Sequence, residues 1–233
     1  VVELRESAAE DVPIGRAAKV RMVLGLPGSA EALWASFPSK LRSQVKKAEK
    51  NGLSFRWGRS EDQELFYRVF SRNMRDLGSP VHARAWLQAI VRAFGQRCRL
   101  GLVFLGDDPV GCGLVLVAGR RASIPWASTV REANPLGPNM LLYWKLLEQA
   151  ADDGLDAFDF GRSTPGEGTY RFKEQWGAKP QRLRWQRTSA DGQWRELEPG
   201  TSRARVLAAT AWSRLPVGVA NVVGPVLRKY ISL

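Results

Sequence analysis

From Arg99 to Ser128 the chain reads RLGLVFLGDDPVGCGLVLVAGRRASIPWAS, and this stretch constrains the fold most tightly. Its apolar runs have strand length and are punctuated by turn residues, which gives three strand candidates. Gly106-Asp107-Asp108 supplies the turn between the first pair, and Gly119-Arg120 the turn between the second. Consecutive strands joined by such short turns pair antiparallel, as a meander.

Helical periodicity flanks the meander. Phe66, Val69, Phe70, Asn73 and Leu77 recur at helical intervals, as do Trp86, Leu87, Ile90, Val91 and Phe94. Two helices joined across Gly78-Ser79-Pro80 follow from that spacing. Downstream, Asn139 can cap MLLYWKLLEQAADD, and Gly154 ends it. DAFDF then reads as a short strand, GTYRFKEQW as a short helix or turn, and QRLRWQ as a last strand. Near the amino end, VVELRES, VRMVLGL and LSFRW read as strands. Ser29 and Ser39 are candidate caps for two helices between the second and third of these. The second helix would bury Leu41, Val45 and Ala48 and present Lys40, Lys46, Lys47 and Lys50 on its other face. Together these elements make an α/β (α+β) domain.

RTSADGQWRELEPGTS reads as a loop and linker. The remaining tail carries Val206, Leu207, Trp212, Leu215, Val219 and Val223 on roughly amphipathic segments. A terminal helical hairpin covering apolar surface is the ordinary expectation for such faces. Docking on an anionic membrane surface through the basic residues is the alternative.

Composition narrows the function classes. With 44% apolar residues among 233 the chain can bury a core, and 35 basic against 23 acidic residues give a net charge of +12. That field suits nucleic acid, phosphate-bearing molecules or an anionic membrane, without choosing among them. A lone His82 and two cysteines without ligand spacing, Cys98 and Cys112, argue against structural zinc and for a reducing compartment. The stretch LPVGVANVVGPVL is too short and too broken to span a bilayer, which takes ~20 residues. No signal peptide is visible, and Val1 in place of Met suggests a processed, trimmed or partial chain.

The chemistry concentrates in FDFGRSTPGEGTYRFKEQWGA, Phe158 to Ala178. It is not a Walker loop, since no GKS or GKT follows, and it lacks the GxGxxG pattern. A strand ending in a glycine-rich turn beside Arg162 and Arg171 can hold an anion, or can simply be a shaped turn; the residues leave both open. Lys173 is the candidate for stabilising negative charge during acyl transfer, against a solvated lysine as the default. Asp159 lies between Phe158 and Phe160 and so points opposite the two rings on a regular strand, where it can orient a positive group or pair with Arg162. A serine hydrolase is unsupported, for there is no G-x-S-x-G.

Four segments carry a family resemblance: FPSKLRSQVKKAEKNGL, GSPVHARAW, NMLLYWKLLEQAADDGLDAFDFGRS and GTYRFKEQWGAKP. They resemble the Fem-like family, akin to the enzymes that build peptidoglycan interpeptide bridges. The match is nearest to the branch associated with PEP-CTERM and exosortase sorting systems, which the closing segment from Trp212 to Tyr230 also resembles. The resemblance implies a GNAT-like N-acyltransferase fold, with a mixed central sheet flanked by helices. It implies that residues 1–54 are the remnant of a first GNAT-like domain and its joining helix, 55–187 a second such domain, and 188–233 a linker and helical tail.

By the same resemblance the activity is transfer of an acyl or aminoacyl group to an amine of a cell-envelope or exopolysaccharide-related acceptor. Lys173 inherits the catalytic position, and Asp159, Arg162, Tyr170, Arg171, Phe172 and Trp176 shape the substrate site; apart from the resemblance, the lysine-rich face of the second helix, with Lys46 and Lys47, can grip a phosphate. The donor would be aminoacyl-tRNA or acyl-CoA, with no tightly bound cofactor and no metal. REANPLGPNM sits where a CoA loop would be but lacks its Q/R-x-x-G-x-G/A glycines, which weakens the CoA option. Partners would be a phosphate-bearing envelope or polysaccharide precursor, tRNA, and a peripheral contact with the inner membrane from the cytoplasm. Two alternatives stand: a non-catalytic GNAT-like module binding an envelope precursor or exosortase-system partner, and an acetyl-CoA-dependent N-acetyltransferase.

Overall fold

The structure, a computed structural model, describes residues 3–7, 19–188, 194–196 and 203–230. The meander forms as β4 (Cys98–Leu105), β5 (Asp108–Ala118) and β6 (Arg121–Thr129). β3 (Leu53–Gly58) extends it antiparallel on the β4 side. On the other side β6 pairs in parallel with β7 (Ala157–Ser163), the one parallel pairing among the described strands. β2 (Val20–Gly25) lies between β7 and β8 (Lys179–Thr188), antiparallel to both. β8 is long, and its later residues pair with β1 (Glu3–Ser7) and β9 (Trp194–Glu196). β9 falls in the segment expected to be loop; the remainder of that linker, 189–193 and 197–202, lies outside the described residues.

Helices cover both faces. On one lie α1 (Ala30–Ser36), α2 (Ser39–Lys50), α5 (Pro138–Asp152) and α6 (Gly168–Glu174). On the other lie α3 (Gln63–Asp76), α4 (Arg84–Phe94) and α8 (Val217–Arg228), preceded by α7 (Arg203–Trp212). The strand alternation shows the division. A Cβ on Gly101 would come within 2.8 Å of Leu146 on α5, and one on its cross-strand partner Gly113 within 3.1 Å of the same side chain. Cys112 points the opposite way, and its cross-strand partner Ser128 accepts a hydrogen bond from Asn73 of α3 at 2.9 Å. This glycine pair thus clears a groove for α5, which is buried on most of its circumference.

Two expected caps are displaced. Ser29 does cap α1, its Oγ accepting from the Ala32 N–H at 3.2 Å. For α2 the cap position falls to Pro38, whose carbonyl accepts from Leu41 and Arg42, so Ser39 is already helical. Likewise Pro138 takes the first helical position of α5 after Gly137 at φ +86°, and Asn139 sits inside the first turn. The boundary expected at residue 54 falls inside a continuous core: Val20, Met22, Leu33, Phe37, Leu41 and Val45 are buried in the same cluster as Leu102, Leu142 and Phe160.

Candidate active site

β6 and β7 pair only at Arg121–Ala157, Ala122–Phe158 and Ser123–Asp159, then separate. Local sequence ends the ladder on both strands. In β6, Ile124 and Pro125 together face Val115 of β5, and Pro125 has no N–H to give a neighbour. In β7, Phe160 and Gly161 together face Met22 of β2, a bulge that Gly161 permits at φ +74°. The gap is a cleft of about 450 Å³ on the α3/α4/α8 side, floored by Ser123, Asp159, Gly161 and Arg162.

Asp159 is 4% exposed and faces away from Phe158 and Phe160, as strand alternation demands. Its Oδ1 accepts from the Gly161 N–H at 2.8 Å, which ties the bulge closed. Its Oδ2 accepts from Arg21 Nε at 2.5 Å. Of its two expected roles, orienting a positive group or pairing with Arg162, the contact seen is of the first kind: an ion pair to Arg21 of β2, the neighbour on that side.

Lys173 reaches the same strand end from α6, on the other layer. Phe172 packs edge-on against Tyr143 at 4.9 Å, and Trp176 against Phe37 at 5.5 Å, so α6 is held on the α1/α5 layer. That leaves Lys173 8% exposed with Nζ donating to the Arg162 carbonyl at 2.7 Å. Burial lowers its pKa from 10.5 to about 8; Asp159 opposes the shift and Arg162 adds to it.

The far wall comes from the α3–α4 connection and α8. The His82 ring stacks on Trp86 at 3.9 Å, and Trp86 meets Trp126 of β6 edge-on at 4.5 Å. Tyr67 donates to the His82 carbonyl at 2.8 Å, fixing the loop. Arg228 Nε donates to His82 Nε2 at 3.2 Å, so Nε2 acts as the acceptor of a neutral ring. Burial, then the Arg228 charge, pushes the His82 pKa down to about 4.

The structure gathers only part of the expected site. Asp159 and Arg162 line the cleft, and Lys173 lies behind it at the β7 bulge. Arg171 is exposed on α6, and Phe172 and Tyr170 are partly buried against the core. Burial raises the Tyr170 pKa, with Glu174 adding to the rise. Trp176 is completely buried and cannot touch a substrate, a correction that follows from its role in anchoring α6. Lys46 and Lys47 are exposed on α2, on the other face of the sheet from the cleft, because Val45 and Ala48 turn the opposite side of that helix inward. Arg21, Ser123, Trp86 and Trp126 were not foreseen as site residues, nor was Arg228. His82 enters the sequence reading only as an argument against structural zinc. The available signal was the lone histidine four residues before a tryptophan at a helix start; nothing local marks Arg228.

A family model described as an acetyltransferase (GNAT) domain matches residues 35–174. Among solved structures the fold is similar to FemX, at 16% identity and a TM-score of 0.62, over 76% of this chain and 62% of that one. It is also similar to L-PGS from Bacillus licheniformis, at 12% identity and a TM-score of 0.55, over 91% and 68% of the two chains. A third similar structure is the C-terminal domain of a putative lysylphosphatidylglycerol synthetase from Agrobacterium fabrum, at 10% identity and a TM-score of 0.55, over 78% and 60%. At such identities the likeness is one of fold. The chain spans less than two thirds of the FemX chain, and no curated protein matches it.

Proposed function

Because this chain belongs to the acetyltransferase (GNAT) domain family, we propose that it transfers an acyl or aminoacyl group to a primary amine on an envelope-related acceptor. The observation that carries the reading is the parted parallel pair, β6 and β7, opening a cleft beside Asp159 and the β7 bulge. Beyond Ser123 the β7-side backbone groups of β6 have no partner among the described strands, so they can hydrogen-bond an extended acyl donor. The amine attacks the acyl carbonyl carbon and an oxyanion develops. The bond to the donor's leaving sulfur or oxygen then breaks, and the amine proton departs to the leaving group or solvent. Backbone N–H groups at the gap can stabilise the oxyanion. The Lys173 charge, held behind the gap on the Arg162 carbonyl, adds positive potential and fixes the strand end.

Two observations favour an aminoacyl ester, such as aminoacyl-tRNA, over acyl-CoA. The β6–α5 connection lacks the CoA-loop glycines, and α2 covers it. Ala48 lies 3.4 Å from where a Cβ on Gly137 would stand, and Asn51 Nδ2 donates to the Leu136 carbonyl at 3.0 Å. A phosphate-bearing precursor suits a cleft lined by Arg21, Arg162 and Arg228 against one Asp159. A polysaccharide acceptor of the exosortase-associated kind is the narrower form of the same reading.

The test supplies labelled acetyl-CoA to one reaction and charged tRNA with envelope lipid extract to another, then follows label into amines. Label from charged tRNA, lowered about tenfold or more by Lys173→Ala, is expected. Label from acetyl-CoA alone would overturn the donor assignment. Label from neither, with precursor still bound, would replace the enzyme by a binding module.

We also infer a peripheral contact with an anionic bilayer, supported by the outer face of the tail. Val219, Val222, Val223, Val226, Leu227 and Tyr230 form one exposed stripe on and just beyond α8. Arg214 and Lys229 are exposed beside it, and no acidic residue follows Glu198. An apolar stripe with basic flanks fits an anionic lipid surface. Among the described residues no helix is long and apolar enough to cross a membrane.

A further inference from the structure

The geometry points to Arg228 as the anion-binding residue of the cleft, where the acceptor's phosphate or carboxylate group docks. The inference rests on the acyl-transfer reading only in naming the anion's owner as the acceptor.

Arg228 comes from the last turn of α8, outside the span matched by the family model, and it closes a cleft built from β6, β7 and the α3–α4 connection. Close packing puts it there. A Cβ on Gly224 would stand 3.0 Å from the Val81 backbone nitrogen, so α8 lies directly against the segment carrying His82. The buried face Ala220, Gly224 and Arg228 repeats every four residues, which delivers the guanidinium to the His82 ring.

The side chain is 9% exposed, and its pairing is incomplete. Nε is satisfied by His82, but Nη1 is shielded from solvent and has no hydrogen-bond partner among the described residues. Burial lowers its pKa, and among the described residues no carboxylate acts in the opposite sense. The cleft's own acid, Asp159, is committed to Arg21 and the Gly161 N–H. A buried guanidinium without a counter-charge is expensive to maintain, and such orphaned groups ask for an explanation. An oxyanion entering the cleft supplies the missing charge, while the stacked His82 and Trp86 rings and Trp126 give it a stiff, partly apolar wall. Arginine suits this task because its planar fork matches both phosphate and carboxylate.

The experiment titrates inorganic phosphate, and separately malonate, into the full chain at constant ionic strength, following binding by calorimetry and thermal shift. Saturable binding of phosphate, malonate or both is expected, and which one binds identifies the acceptor's acidic group. Arg228→Gln should weaken it about tenfold or more, whereas Arg214→Gln, an exposed arginine of the same tail, should leave it unchanged. Should Arg228→Gln fail to fold, the Arg228 Nε–H resonance of the wild-type protein is followed instead and should shift on titration. No saturable binding, equal binding by the Arg228 and Arg214 variants, or an unmoved resonance would each overturn the inference. Anion binding that persists in a protein with no transfer activity would refute the transferase reading and leave this one standing.

Discussion

Lys173 holds a charge where water hardly reaches, and burial is the main cause that brings its folded pKa down to about 8. An unfolded lysine titrates at its ordinary value, so between about pH 8 and 10.5 the unfolded chain binds a proton that the folded one has lost. Stability attributable to this residue therefore rises with pH through that window, by about 3 kcal/mol at the upper limit. Urea unfolding at pH 7.5 and 10.5 should show this rise in the wild type and its loss in Lys173→Met; parallel profiles would rule it out. His82 has the same sign at the acid end. Its folded pKa near 4 lies below the ordinary 6.5, so its contribution is intact above 6.5 and declines as pH falls towards 4. Replacing it by Asn should flatten the melting-temperature profile over that range. Of these residues only Asp159 had a direction readable in sequence, because strand alternation between two phenylalanines sets it. The burial of Lys173 depends on Phe172 and Trp176 gripping another layer, which spacing along a seven-residue helix does not reveal.

At the scale of elements, β7 carries the decisive irregularity. A side chain on Gly161 has room, since its Cβ would lie 3.8 Å from the Ile124 carbonyl oxygen, but φ +74° is strained for it. Gly161→Ala should therefore cost about 1–2 kcal/mol in stability and lower transfer further than that loss explains, by moving the Asp159 hydrogen bond. Gly101→Ala gives the contrasting result. Its Cβ would press on Leu146 at 2.8 Å and Phe55 at 3.0 Å, ends of side chains that can yield, for about 1–3 kcal/mol. Thermal unfolding should register both variants, and kcat only the first. The three meander strands and the α3–α4 pair were legible because period and turn residues are local signals. The insertion of β2 between β7 and β8 was not, for it joins segments more than 130 residues apart. The parting of β6 from β7 has local causes in Pro125 and Gly161, but each shows as a bulge only against its partner strand, so no motif announces the cleft.

For the whole molecule, the tail sets two surfaces at once. Its inner side delivers Arg228 to the cleft, and its outer side leaves Val222 74% and Val226 57% exposed. α8 rests on the domain through Ala220, Gly224 and Arg228, none of which the apolar pattern singled out, while Val206 and Leu207 of α7 stand exposed. Val219 and Val223 face outward instead, because the small residues take the inner side of α8. Such a stripe is unusual on a soluble surface unless something covers it, and a net charge of +12 with an acid-free tail selects an anionic partner. Vesicles containing phosphatidylglycerol should therefore co-sediment the protein, zwitterionic vesicles much less, and added salt should weaken the anionic case. Val222→Glu with Val226→Glu should abolish binding while leaving the melting temperature nearly unchanged, since both side chains already stand in water. A double variant that still binds would remove the stripe from the contact. A wild type that ignores vesicles but forms a dimer broken by the same substitutions would assign the stripe to a second copy of the chain.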